Sequence, residues 1–481
     1  MEYLRSMDDI KISFKSIIGF LLLIICLLAL AMLGSDVWQI LSVGMFGIMI
    51  LICLKDISRN CFFFFFLLSF FIFLMSGDIA ELLFNEHYYL QFSEAATLHA
   101  HKSIFICLLA MFVGFIIFPV RRKEKEAVTN NTNEFIINIR HASKILYVIS
   151  LIFALISTLD TIRFVASHGY VAYYISYNSI LPSVLVKIGE YTPLALCVYL
   201  STFPSKKESS FVIKSFLLYS LLTLLIGSRS GVIFNSIFLL CYFVYRNYTD
   251  RGKTVWISKK TLVFLLLSVP FLLSFLYLYE YIRTGREVES MTFGESIVKF
   301  FVNIGSASQN IKYGYELRNE IPKFRFYSLG GTLNYFKYGT LFNLFDLQSI
   351  PSRHTVQFAL ESHSFDAMLS YLTIPKQFLQ GNGTGSSFIA ELFADFGYVG
   401  VAAGSLVYGC LFKRVQVLNN RNWLATTIKL FIFFTMLSAP RASYDGFIAE
   451  ILNVNHILYV FLIFLLASNY RKKYKRERVS M

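Results

Sequence analysis

Apolar runs of roughly twenty residues, separated by short polar punctuation, recur along almost the whole chain. They cover 17–34, 37–54, 61–75, 103–119, 145–165, 183–203, 211–226, 230–246, 261–281, 386–411, 424–440 and 447–468. A helix of about 20 apolar residues crosses the hydrocarbon core of a bilayer. Lipid offers the backbone no hydrogen bonds, so a spanning segment must be a helix or part of a closed barrel. Barrel strands would alternate polar and apolar residues, and these runs do not. The pattern predicts an all-α polytopic membrane protein of about twelve spans.

One interval breaks the rhythm. Residues 282–384, between the ninth and tenth runs, are rich in Phe, Tyr, Leu and Ile but are cut by "GG" (330–331) and "GNGTG" (381–385). Such a composition suits a compact, mostly helical loop domain capping the membrane region. The expected division is a transmembrane region at 1–281, the loop domain at 282–384, and a second transmembrane region with a basic tail at 385–481. The first run is read as an uncleaved helix, although "ALA" (29–31) resembles a signal cleavage site.

Charge fixes an orientation and removes one class of function. The formal net charge is +14, which alone would suit a nucleic-acid partner. With both termini in the cytoplasm, however, the segments on that side carry 27 Lys and Arg, while the short outer loops carry three, Lys102, Arg229 and Arg441. That asymmetry is the positive-inside rule, and a long outer loop such as 282–384 escapes it. The excess is a signal of topology and of attraction to anionic lipid, and no nucleic-acid partner is expected. The seven cysteines lie in or at the ends of apolar runs without a C-x-x-C pair, and read as packing residues.

Arginine is costly near lipid, about 2.5–3.5 kcal/mol on insertion scales, so its outer positions are informative. "IGSRSG" (226–231) sets Arg229 and Ser230 in a tight outer hairpin at a helix N-terminus. Unpaired N–H groups, the helix dipole and a bidentate guanidinium together make an anion site. "SAPRASYDG" (438–446) repeats the arrangement with Arg441, and "EYIRTGREVES" (280–290) adds Arg283 and Arg286. Four arginines at one membrane face repel one another unless an anion bridges them. They are therefore candidates for binding a lipid-linked pyrophosphate, against the plainer reading of snorkelling to headgroups.

"GNGTGSSFIAELFADFGYVG" (381–400) runs a glycine-rich loop into a helix that starts on the same side. Gly383, Gly385 and Ser386 could cradle substrate. Glu391 and Asp395, four residues apart, share one helix face. They either pair with the arginines or act on a sugar hydroxyl, Glu391 as a base and Asp395 as a substrate ligand. His354 and His363 lie in the outer loop, and His363 is the first candidate for general base. No metal-ligand spacing is present. Asp160 with Arg163, and Lys187 with Glu190, are spaced for ion pairs on single helix faces.

These elements resemble the Wzy-type polymerases of bacterial O-antigen. The resemblance is carried by "IGSRSG" (226–231), "HSF…YL" (363–372), "GNGTGSSFIAELFADFGYVGV" (381–401) and "PRASYDG" (440–446), with the overall layout of many spans and one late outer loop. Arg283 and Gly294 also match once an Arg followed after ten residues by Gly, seen in some members; there is no second copy. The resemblance implies a GT-C-like glycosyltransferase of the Gram-negative inner membrane, independent of metals and cofactors. It would join undecaprenyl-pyrophosphate-linked oligosaccharide units at the periplasmic face, with a chain-length regulator as a candidate partner. The alternatives are an O-antigen ligase, which needs the same anion site, and a flippase or transporter of lipid-linked oligosaccharide, which would carry charges through the middle of several spans.

Overall fold

The computed structural model describes residues 37–84, 92–117, 134–227, 229–250, 254–284, 291–339, 352–417 and 422–479. Every regular element among them is a helix. Eight helices are long and apolar enough to cross a membrane: Val37–Lys55, Ile57–Glu81, Glu94–Ile117, Glu134–His168, Ser183–Ser201, Lys206–Ile226, Phe388–Gln416 and Trp423–Arg441. Gly446–Leu452 and Val454–Asn469, bent by 51° where they meet, give a ninth if counted as one. The chain is a multi-pass helical membrane protein.

The expected spans at 230–246 and 261–281 are also helices, Arg229–Thr249 and Lys259–Thr284, yet neither is among the eight. Asn235, Arg246 and Asn247 dilute the first, and the second contains the shorter apolar stretch Val263–Tyr279. The expected first span, 17–34, lies outside the described residues.

Two packing modes hold the bundle. The Glu134–His168 helix leaves Ile145, Ile149, Ile152, Ile156 and Leu159 exposed. Their spacing of three and four puts them on one stripe, the pattern of a lipid-facing surface. The Glu94–Ile117 and Phe388–Val417 helices instead meet through glycine. A Cβ on Gly114 would come within 2.2 Å of the Leu406 carbonyl, and one on Gly409 within 2.0 Å of that of Met111. Only glycine admits two backbones this closely, as in small-residue contacts between membrane helices.

Successive helices run in opposite senses, so the bundle has two ends. At one, Arg140 donates to the Thr202 carbonyl (2.9 Å) and pairs with Glu208 (3.2 Å), while buried Arg246 pairs with Asp250 (3.0 Å) and donates to the Pro204 carbonyl. At the other, Gln39 donates to the Asp78 carbonyl and Ser69 Oγ to that of Leu437 (2.6 Å).

That second end receives the segment between the ninth and tenth expected spans. Its described helices include Phe293–Ile304, Gln309–Glu316, Gly330–Tyr338 and Phe365–Thr373. They do not sit on the bundle as a detached cap. Phe300, Ile304, Ile311, Tyr327, Phe365 and Leu369 join the same continuous core as the membrane helices. Lys312 is buried against the Asp78 carboxylate at 2.9 Å, 234 positions away, with His101 3.7 Å from the other oxygen. A buried ion pair is tolerated only when it is well bonded, and this one fastens the loop to the end of a span.

Candidate functional site

The glycine-rich loop is gripped from both sides. Thr384 N–H donates to Ser370 Oγ (2.9 Å), and Asn310 Nδ2 donates to the carbonyls of Thr384 (3.1 Å) and Ser386 (3.3 Å). Gly385 has φ +81°, a conformation that glycine adopts without strain. A Cβ there would lie 3.7 Å from the Arg441 carbonyl, so the loop abuts the hairpin that carries Arg441.

Glu391 completes that junction. It is 2 % exposed, and each carboxylate oxygen has a partner. Ser386 Oγ donates to one (2.7 Å), and Tyr444 N–H donates to the other (2.8 Å). The helix beginning at Phe388 is thereby tied both to the glycine-rich loop and to the 438–446 hairpin. Asp395, one turn along, faces different partners. It accepts from Tyr327 N–H (2.9 Å), Ser328 N–H (2.7 Å) and Ser328 Oγ (2.7 Å). Asp445, fully buried, accepts from Gly331 N–H (3.0 Å) and Thr332 N–H (2.6 Å). Burial pushes its carboxyl above the usual range, against the pull of those amides. Three carboxylates thus hold the loop segment 327–332 and the 444 turn against the bundle.

His363 sits where this segment turns back. Its Nδ1 contacts the Arg325 carbonyl, and its N–H donates to Asn334 Oδ1 (2.9 Å). A carbonyl can only accept, so a neutral ring must carry its proton on Nδ1 and its lone pair on Nε2. Gly330 packs directly beneath, where a Cβ would meet the His363 carbonyl at 2.0 Å.

The two arginine hairpins lie at the same end of the bundle and share a neighbour. Arg229 and Ser230, both half-buried, open the Arg229–Thr249 helix. Phe234, one turn on, packs on Phe73 with ring centroids 4.8 Å apart. Four residues before Phe73 on the same helical segment, Ser69 holds the Leu437 carbonyl, at the base of the Arg441 hairpin. Arg441 is exposed. Arg283 lies near the end of the Lys259–Thr284 helix, but its side chain and the whole of Arg286 fall outside the described residues.

An open cavity of about 430 Å³ adjoins this assembly. It is lined by Gly381, Gly383 and Gly385 of the loop, by Tyr173 and Tyr177, and by the polar side chains of Arg353, His354, Asp366 and Ser370. Arg353 pairs with Asp366 at 2.5 Å. Burial and the neighbouring Arg353 charge lower the pKa of His354. Gly383 and Gly385 were expected near substrate from the sequence; His363, Glu391, Ser386 and Asp395 do not line the cavity. Tyr173, Tyr177, Arg353 and Asp366 were missed. The available signal was the aromatic cluster "YVAYYISY" (170–177), in which Tyr173 and Tyr177 recur at helical spacing.

The expected Asp160–Arg163 and Lys187–Glu190 ion pairs are not formed among the described residues. Asp160 instead accepts from Tyr177 Oη (2.8 Å) and Ile180 N–H (3.1 Å). Same-face spacing permits a pair on an isolated helix, but a backbone donor and a phenol brought in by the following segment are better placed.

The family model for O-antigen polysaccharide polymerase Wzy matches residues 11–474 of the chain. No curated protein and no solved structure matches it significantly.

Proposed function

Since the chain belongs to the O-antigen polysaccharide polymerase Wzy family, we propose that it is a GT-C-like glycosyltransferase of the inner membrane. In this reading it extends a polysaccharide carried on undecaprenyl pyrophosphate at the periplasmic face, with both termini in the cytoplasm. The observation that carries the proposal is the junction made by Glu391, which brings the glycine-rich loop and the Arg441 hairpin together at the end of the bundle that also bears Arg229.

The proposed reaction breaks the bond between the anomeric carbon of the growing chain and its pyrophosphate oxygen. That oxygen keeps the electron pair, and negative charge grows on the leaving lipid pyrophosphate. Arg229 and Arg441, joined in this reading by Arg283 and Arg286, would stabilise it, as preorganised cations do. A hydroxyl of the incoming unit forms the new bond and gives its proton to Nε2 of His363, the ring nitrogen that bears the lone pair in the tautomer set by the Arg325 carbonyl. Ser230, Gly383, Gly385 and Ser386 would position substrate around these groups. Glu391 and Asp395 have their oxygens committed to loop and hairpin donors, so we assign them to holding the site in shape.

The test is reconstitution of the purified protein with lipid-linked repeat units, scored as a ladder of chain lengths on a gel. Arg229→Ala and Arg441→Ala should each lower the rate by about 10²-fold, the size of effect for one removed oxyanion donor, while the protein stays in the membrane. Ladders of normal length and rate from both variants would refute the anion-site argument.

A further inference from the structure

The cavity beside the glycine-rich loop has a chemistry of its own, distinct from that of the arginine hairpins. Its volume of about 430 Å³ lies at the small end of ligand sites. Its lining combines two tyrosine rings, Tyr173 and Tyr177, with three glycines of the loop. Asp366 accepts from Arg353 on one oxygen and from Ser364 Oγ on the other, which leaves one lone pair on each oxygen and further guanidinium N–H groups, so the rim can both accept and donate hydrogen bonds. Asp366 offsets the charge of Arg353. A pyrophosphate would want an uncompensated cation, and a polyprenyl chain would want an unbroken apolar lining. A pyranose ring has an apolar C–H face and an edge of hydroxyl groups, and it matches both kinds of wall.

The aromatic wall is held in place from outside the cavity. Tyr173 and Tyr177 belong to the stretch that follows the long Glu134–His168 helix, with Tyr170–Ser176 as a short helix of its own. Asp160, on the long helix, accepts the Tyr177 hydroxyl at 2.8 Å and the Ile180 N–H at 3.1 Å. The carboxylate therefore fixes the phenol and the backbone three residues beyond it together.

We infer that this cavity is the subsite for an uncharged sugar ring of the repeat unit, with Tyr177 as its stacking wall, the Arg353–Asp366 pair as its hydroxyl partners, and Asp160 as the positioning residue that sets the wall. The inference rests on the polymerase reading for the source of the sugar, but it is tested separately from polymerisation. The probe is a lipid-free, single repeat-unit oligosaccharide cut from the strain's own polysaccharide, titrated by calorimetry against the full-length protein in nanodiscs.

Wild-type protein should bind the probe. Tyr177→Ala should weaken it about tenfold, the upper range for an aromatic contact. Tyr177→Phe keeps the ring and loses the hydroxyl that Asp160 holds, so it should weaken binding about fivefold. Asp160→Ala should do at least as much, and adding Tyr177→Phe to it should change nothing further. Inorganic pyrophosphate should not compete. No binding by the wild type, wild-type affinity in Tyr177→Ala, competition by pyrophosphate, or multiplying effects in the double variant would each overturn the assignment. Tyr177→Phe keeps the test decisive should Asp160→Ala fail to fold. Oligosaccharide binding without any ladder from lipid-linked units would remove the polymerase reading and leave the subsite standing. A normal ladder with unchanged affinity in Tyr177→Ala would do the reverse.

Discussion

Glu391 can be a base or a brace, and the two roles separate on substitution. Its two oxygens take one hydrogen bond each, from Ser386 Oγ and from Tyr444 N–H, in a position 2 % exposed. Glu391→Ala leaves the Ser386 hydroxyl free to rotate but strands a buried backbone N–H, which costs about 1–3 kcal/mol. The emptied side-chain volume adds to that loss. Glu391→Gln has the same shape. Its carbonyl can accept from Tyr444 and its amide can donate to Ser386 Oγ, so the change should be about 1 kcal/mol or less. A brace therefore predicts that the glutamine variant unfolds near the wild-type temperature and keeps most of its turnover. The alanine variant should unfold earlier and lose its product ladder. Both quantities can be measured on one preparation, by thermal unfolding in nanodiscs and by initial rates with lipid-linked units. A general base is worth about 10²–10⁴-fold. A glutamine variant with unchanged unfolding temperature and turnover lowered by 10²-fold or more would refute the bracing role and return Glu391 to the chemistry.

Other outcomes follow from the same geometry. His363→Gln should cut kcat by 10²-fold or more with KM little changed, and Gly330→Ala should reproduce part of that loss because its methyl would displace the His363 carbonyl; full kcat in His363→Gln would remove the ring from the mechanism. Asp395→Ala frees two backbone N–H donors at 327 and 328, so protease cleavage within the loop should rise severalfold, read by limited digestion. Oligosaccharide binding should change little from pH 8 to 7. The pKa of His354 is lowered by burial and by Arg353, so its positive charge appears at lower pH than on an ordinary histidine; a change in affinity centred above pH 6.5 would contradict that order.

How much could be read from the sequence varies with the physical constraint. Lipid compels apolar length, and helices stand at the positions of eleven expected spans, 37–54 through 447–468, though Arg229–Thr249 is diluted by polar residues and the last is bent. Glu391 and Asp395 could be placed on one helix face by counting, but their partners could not. Tyr444 and Ser328 come from segments more than fifty residues away and are recruited by backbone geometry that has no local signature. The Lys312–Asp78 pair is invisible for the same reason. Asp160 shows the opposite error, since the nearest same-face cation was an inviting partner and the structure uses a tyrosine. Gly383 and Gly385 could be marked from sequence as a place of close approach or of a turn, and both line the cavity.

The way the late loop is sewn into the bundle sets a limit on modularity. A fragment cut at 291 and 384 would carry Lys312 without its counter-charge, and would bare the Phe300, Ile304 and Ile311 side chains that the spans now cover. Such a piece should precipitate when expressed alone. For the same reason, chimaeras that trade this segment between relatives should succeed only when the end of the Ile57–Glu81 span travels with it. Sugar preference would then be inherited through that whole end of the bundle and could not be moved by grafting one loop.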